Sequence, residues 1–166
     1  MPTTPPERLR EHIASDEILA LPGAYDALSA RLAEQADFEA VFTSGFSIAA
    51  TELGLPDMGM LTMAENVRRA DKVADAVDVP LVADMDTGYG NVLNVRRTMR
   101  ECVDAGIAGV ILEDQEWPKK CGHMNEKRVV EREEHARRIA AAADVREETG
   151  WEFVVIGRTD AREPHG

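Results

Sequence analysis

A chain of 166 residues, 44% apolar and 30% charged, is long enough to bury a core and suits one globular domain. Its 31 acidic against 19 basic residues, a net charge of −12, argue against a nucleic-acid partner, whose phosphates such a surface repels. No apolar run approaches the roughly 18 residues that cross a bilayer, and the early prolines and charges do not read as a secretory leader. The expectation is a cytoplasmic protein with no membrane partner.

Thr4 and Glu7 form a capping-box pair ahead of a first helix over Pro5–Ala14. The short apolar run Ile18–Leu21 is the first strand candidate, followed by a helix over Ala24–Gln35. Ala40–Thr43 is the second strand candidate. It runs directly into Ser44-Gly45-Phe46, a hydroxyl and backbone N–H groups that alone describe an ordinary turn. Thr62 and Glu65 repeat the capping pattern before a helix over Met63–Val77, with Val67, Ala70, Val73, Ala74 and Val77 at helical spacing. A third strand, Pro80–Ala83, opens into Asp84-Met85-Asp86-Thr87-Gly88-Tyr89-Gly90. A helix over Val92–Ala105 and a fourth strand, Ala108–Leu112, lead to Glu113-Asp114-Gln115. The last helix, Val130–Thr149, has Gly150 as its C-terminal cap, and the strand Phe153–Ile156 runs on to Arg158 and Asp160.

Short, continuously apolar strands alternating with helices predict a parallel sheet covered on both faces. Ser44-Gly45, Asp84 with Asp86, Glu113, and Arg158 with Asp160 all fall at or just past strand C-termini, the rim on which a (β/α)₈ barrel builds its site. A doubly wound nucleotide fold would more often carry a glycine-rich loop after its first strand, where Gly23 stands alone. The predicted fold is therefore α/β of the (β/α)₈ TIM-barrel type. A full barrel takes roughly 250 residues, so about five strands over residues 1–166 predict one incomplete catalytic domain. A self-sufficient small α/β domain is the alternative.

The segment after the fourth strand carries the densest chemistry. Lys119, Lys120, Cys121, Gly122 and His123 place a thiol among cations, which favour the thiolate and suit proton transfer near neutral pH. A structural zinc site needs about four ligands, and no second Cys/His pair exists to complete one. Cys102, on the apolar face of its helix, reads as a core residue, and both cysteines read as free thiols of a reducing compartment. Asp84, Asp86 and Glu113 could hold a hard divalent cation through oxygen, or be loop aspartates and helix caps. Arg158 suits a bidentate carboxylate contact, or an ion pair with Asp160. Lysine occurs only at positions 72, 119, 120 and 127; an acidic, lysine-poor surface predicts a halophilic protein stabilised by salt screening.

Lys119-Lys120-Cys121-Gly122-His123-Met124, with Glu113-Asp114-Gln115 before it and Lys127 after it, resembles the signature of the isocitrate lyase and phosphoenolpyruvate mutase superfamily. The likeness extends from Leu21-Pro22-Gly23-Ala24-Tyr25-Asp26-Ala27 to Gly157-Arg158-Thr159-Asp160-Ala161-Arg162, and the compact spacing is similar to that of short methylisocitrate lyase-like members. The resemblance implies a complete TIM barrel, a homo-oligomer (a tetramer in the family) and a small carboxylic acid substrate. It implies Mg²⁺, with Mn²⁺ as substitute, held largely through water by Asp57, Asp84, Asp86 and Glu113. It places a 2-oxo acid against Ser44, Gly45, Phe46, Gly122 and Arg158, with Cys121 as general acid supported by Lys119, Lys120 and His123. The implied reaction is retro-aldol cleavage of a 2-hydroxy di- or tricarboxylic acid, giving succinate or a related acid plus pyruvate or glyoxylate. An oxaloacetate-hydrolysing or phosphonopyruvate-type relative is one alternative. A non-catalytic half-barrel that binds Mg²⁺ or a 2-oxo acid and self-associates is another. Asn125-Glu126 stands before Lys127 where the family usually has glycine, which bears on the loop's geometry.

Overall fold

Helix α1 (Pro5–Ala14) begins in the computed structural model of the protein, which describes residues 3–165, with the capping box its sequence announces: the Thr4 side chain accepts from Glu7 N while the Glu7 carboxylate accepts from Thr4 N. The chain then alternates β1 (Gly23–Ala24), α2 (Ala27–Gln35), β2 (Val41–Thr43), α3 (Gly45–Ile48), a π-helical turn (Ala49–Leu53), α4 (Met63–Ala74), β3 (Leu81–Asp84) and α5 (Val92–Asp104). It continues through β4 (Gly109–Glu113), α6 (Arg132–Thr149), β5 (Val154–Arg158) and α7 (Arg162–His165). Capping boxes also start α2 at Asp26 and Ser29, α4 at Thr62 and Glu65, and α5 at Asn91 and Asn94. Gly150, at φ 68°, ends α6 in the left-handed conformation that glycine adopts without penalty.

The five strands pair in parallel in chain order, β1-β2-β3-β4-β5. Each crossover therefore advances one strand in the same direction. A doubly wound sheet reverses direction at a switch point, and none exists among these strands. This winding is what a barrel requires.

One face of the sheet packs against the helices. Val41, Leu81, Ala83, Val110 and Leu112 meet Ala30, Val67, Ala70, Val73, Val95, Met99, Ala142 and Val145 in the main core. Each fully buried aliphatic side chain there contributes about 1.5–3 kcal/mol of transfer free energy. Arg96 bonds to Asp144 and Glu148, and Arg100 to Glu148 at 3.0 Å, fastening α5 to α6. The other face carries a smaller cluster, in which Leu9 of α1 packs with Val82, Ala108, Val154 and Ile156. Gly109 makes room for it, because a Cβ there would stand 2.9 Å from Leu9. Arg8 donates to Asp78 O and Arg10 to Glu152 O, both just before strands, so α1 closes the N-terminal end of the sheet.

The first strand differs from expectation. Ile18 is 96% exposed, and pairing with β2 falls instead on Gly23 and Ala24. Apolar character without a buried face does not make a strand. Helices α4, α5 and α6 lie where the apolar spacing predicts, ending or starting within three residues. Helix α3, the π-helical turn and α7 lie outside every predicted element. Among the described residues no helix is long and apolar enough to cross a membrane.

Candidate active site

The C-terminal ends of β2 to β5 converge on one cavity of about 560 Å³. It is lined by Ser44, Phe46, Asp57, Asp84, Glu113, Lys119, Cys121, Gly122, His123 and Arg158, every one a residue singled out from sequence. Gly45 and Asp86 lie directly behind that lining, a Cβ on Gly45 being 3.0 Å from Asp86 Oδ1. Only Lys120 points elsewhere, toward the carbonyls of Asn125 and Glu126.

Strand β3 delivers the acidic floor. Asp84 and Asp86 are buried, and Asp86 N donates to Asp84 Oδ1 at 3.2 Å, an Asx-type turn that holds Asp86 at φ 49°. Such a backbone is costly outside glycine and persists where surroundings enforce it. The enforcement is visible: Glu113 N donates to Asp86 O at 2.8 Å, and Met85 N to Ile111 O at 3.0 Å. Asn66, fully buried on α4, donates to Asp84 O and to Tyr89 Oη, and Tyr89 donates in turn to Asp86 Oδ2 at 3.1 Å. Neither Asn66 nor Tyr89 is evident as a site residue in the sequence. Their only signal is polarity on an otherwise apolar helix face and after a paired-aspartate strand end.

Strand register sets the next pair. Glu113 and Arg158 lie opposite each other on β4 and β5, with Arg158 Nη1 3.5 Å from Glu113 Oε2 and Nη2 3.2 Å from Asp160 Oδ2. Glu113 Oε1 is buried without a hydrogen-bond partner. Burial raises the Glu113 pKa to about 8, against the opposing pull of Lys119. Asp86 is raised to about 6, by burial first and by Asp84 second. Arg158 thus makes the Asp160 ion pair that is one of its two expected roles, and reaches Glu113 as well, while its side chain lines the cavity.

Lys119 departs from expectation. Its ammonium does not serve the thiol: Nζ lies 2.6 Å from Asp57 Oδ1, 2.7 Å from Asp57 Oδ2 and 2.7 Å from Asp86 Oδ1, at 4% exposure. Burial opposes its charge, but Asp86 and Asp57 outweigh burial and raise its pKa. Lys120 likewise spends its ammonium on backbone carbonyls. Sequence adjacency places cations near Cys121 along the chain, whereas each long side chain turns to the strongest local acceptor. Gly122 is tightly set against Arg158, so that any side chain there would displace the guanidinium. Cys121 N donates to Asp57 O at 2.9 Å, tying the loop to the segment after α3.

The profile of the family described as phosphoenolpyruvate phosphomutase matches residues 9–164. The chain belongs to this family. It is 44% identical to the 2,3-dimethylmalate lyase of Eubacterium barkeri, over 96% of this chain and 54% of that protein. A structure of oxaloacetate acetylhydrolase with the inhibitor 3,3-difluorooxalacetate superposes with a TM-score of 0.94 at 38% identity, covering 98% of this chain and 56% of that one. A phosphonopyruvate hydrolase complexed with oxalate and Mg²⁺ superposes at 0.85 and 34% identity, covering 96% of this chain and 53% of that one. The chain thus spans about half the length of the relatives it matches. Family membership and the unreversed strand order together make the sheet that of a TIM barrel, as the Lys119–Met124 hexapeptide implied.

The donor set fits the Mg²⁺ that this family implies. Asp57, Asp84, Asp86 and Glu113 offer carboxylate oxygens, the donor type that Mg²⁺ prefers, with Lys119 and Arg158 as the cations beside them. Glu113 Oε1 and Asp86 Oδ1 both lack a hydrogen-bond donor, the latter meeting Lys119 only as an ion pair. Among the described residues no three His, Cys, Asp or Glu side chains converge into a ready-made metal shell.

Proposed function

We propose that the chain carries the Mg²⁺ site of a carbon–carbon lyase that cleaves a 2-hydroxy di- or tricarboxylic acid of the methylisocitrate, isocitrate or dimethylmalate kind. The observation that carries this reading is the single cavity in which Cys121, Arg158 and the acidic floor face one another. Asp57, Asp84, Asp86 and Glu113 would hold Mg²⁺, with Mn²⁺ as substitute; the bound ion would supply Lewis-acid polarisation of substrate oxygens.

Arg158 binds a substrate carboxylate through its guanidinium, held in place by Glu113 and Asp160. Ser44, whose side chain makes no helix-capping bond, offers a hydroxyl to a second carboxylate. Phe46, 57% exposed at the mouth, limits substituent size. A base takes the hydroxyl proton, the carbon–carbon bond breaks as the carbonyl of the departing 2-oxo acid forms, and the electron pair of the broken bond stays on the remaining acid. Cys121 donates its thiol proton to that carbon as general acid, with His123 beside it in the cavity. Lys119 and Lys120 support the loop that presents the thiol.

The test is incubation with Mg²⁺ and, separately, 2-methylisocitrate, isocitrate, 2,3-dimethylmalate and oxaloacetate, with acids followed by NMR. A 2-oxo acid from one of the first three supports the reading. Oxalate and acetate from oxaloacetate would move it to a hydrolase; binding without product would leave a non-catalytic domain. A homo-oligomer in a reducing cytoplasm belongs to the same proposal, supported by two free cysteines, Cys102 and Cys121, and tested by native mass.

A further inference from the structure

Of the run Glu113-Asp114-Gln115, the middle residue does not line the active-site cavity. Asp114 is 6% exposed and, with Val129, His135 and Thr159, lines a separate cavity of about 480 Å³. A buried carboxylate is costly unless its oxygens are satisfied. Asp114 satisfies both across to the next strand: Oδ2 accepts from Thr159 Oγ1 at 2.5 Å, and Oδ1 accepts from Asp160 N at 2.9 Å. The backbone ladder between β4 and β5 has its last pair at Glu113 and Arg158. Asp114 carries the pairing further with its side chain, over the two residues that follow the arginine.

Those two residues bear on the arginine itself. Asp160 Oδ2 accepts from Arg158 Nη2 at 3.2 Å, whereas Nη1 stands 3.5 Å from Glu113, so Asp160 is the closer anchor. A free arginine side chain samples many rotamers, and ordering it on binding weakens affinity by an amount that a pre-set guanidinium avoids. We propose that Asp114 is a positioning residue for carboxylate recognition. It fixes Asp160, and through Asp160 aims the Arg158 guanidinium into the cavity, without touching substrate. This rests on the reading above that Arg158 binds a carboxylate.

The experiment is calorimetric titration of succinate, with Mg²⁺ present, into the wild type, Asp114→Ala, Asp114→Asn, Arg158→Met and the double variant Asp114→Ala/Arg158→Met. Asp114→Ala is expected to weaken succinate about fivefold, a loss that disappears where Arg158 is already replaced. Asp114→Asn, whose amide can accept from Asp160 N and donate to Thr159 Oγ1, should recover most of it. No loss in Asp114→Ala, or an equal loss with and without Arg158, overturns the inference and leaves the carboxylate clamp standing. Succinate binding that is absent, or indifferent to Arg158, overturns the clamp and the inference with it. Nitrogen-15 spectra of the ligand-free protein give a second readout: separate Nη signals for Arg158 in the wild type and Asp114→Asn, merged in Asp114→Ala. Signals alike in all three overturn the positioning role. If Asp114→Ala does not fold, Thr159→Val, which removes one of the two bonds, takes its place with an expected loss of about twofold, and the same outcomes decide.

Discussion

Gln115 holds Lys120 by both polar groups of its backbone, donating from Nε2 to the carbonyl at 2.9 Å and accepting at Oε1 from the N–H at 3.0 Å. The same Nε2 reaches Asp160 Oδ2 at 3.1 Å, so one buried amide pins the loop after β4 to the end of β5. Gln115→Leu keeps the volume and removes all three bonds. It should cost about 1–3 kcal/mol, the usual price of stranding buried polar groups, read from urea denaturation. Turnover should fall with it, and a variant with unchanged stability would show that the loop does not depend on this amide.

Cys121→Ser should lose most of the turnover while the thermal melt stays within about 2 °C of wild type, since Cys121 is only partly buried and its neighbours remain. Near-normal rates in this variant would remove the thiol from the proton transfer.

Gly122→Ala tests the arginine. A methyl group there collides with the Arg158 guanidinium, the movable end of a long side chain, so the fold should survive. The carboxylate clamp should not: KM is expected to rise about tenfold with kcat less affected, as loss of one charged contact predicts. Unchanged KM would place the substrate carboxylate elsewhere.

Glu113 makes metal-free stability depend on pH with a definite sign. Its pKa is about 8 in the folded protein against 4.5 for an ordinary glutamate, so the folded state holds a proton that the unfolded chain releases. This contribution is intact below about pH 4.5 and is lost as pH rises toward 8. Asp86, raised from 3.8 to about 6, acts in the same direction over a narrower window. In EDTA, the stability of wild type relative to Glu113→Gln should therefore decline between pH 5 and pH 8, about the two limits. A difference that is flat with pH would mean the carboxyl is not protonated in the fold.

Molar KCl should raise the melting temperature by roughly 5 °C or more, because salt screens the self-repulsion of a surface with net charge −12. A melt indifferent to KCl would leave the halophilic reading without support.

Where the sequence is legible, one periodicity meets one buried face. Val67, Ala70 and Val73 point inward from α4 as their spacing predicts, and Thr62 with Glu65 caps it. The site is legible for a different reason: in a parallel barrel every strand ends at the same rim, so Asp84, Glu113 and Arg158 meet however far apart they lie in the chain. Ile18–Leu21 misleads because apolarity is local while exposure is decided by what packs overhead. Lys119 misleads more instructively. Its neighbours in sequence are a lysine and a thiol, but its partners, Asp57 and Asp86, lie 62 and 33 positions away and come near only through the fold. Asn66, Tyr89 and Gln115 share that difficulty, being polar residues whose role exists only once Asp84, Asp86 and Lys120 have been brought to them.

Leu9 seals the pole of the sheet opposite Cys121, seated over Gly109 and anchored through Arg8 and Arg10 to loops that never reach the cavity. Cohesion and chemistry are thus vested in opposite ends of the same strands. A lineage built this way can rewrite the loops around Asp57 and Cys121 without renegotiating how the chain folds, which is how one scaffold comes to house proteins named for splitting carbon–carbon bonds alongside one named for hydrolysing a phosphonate.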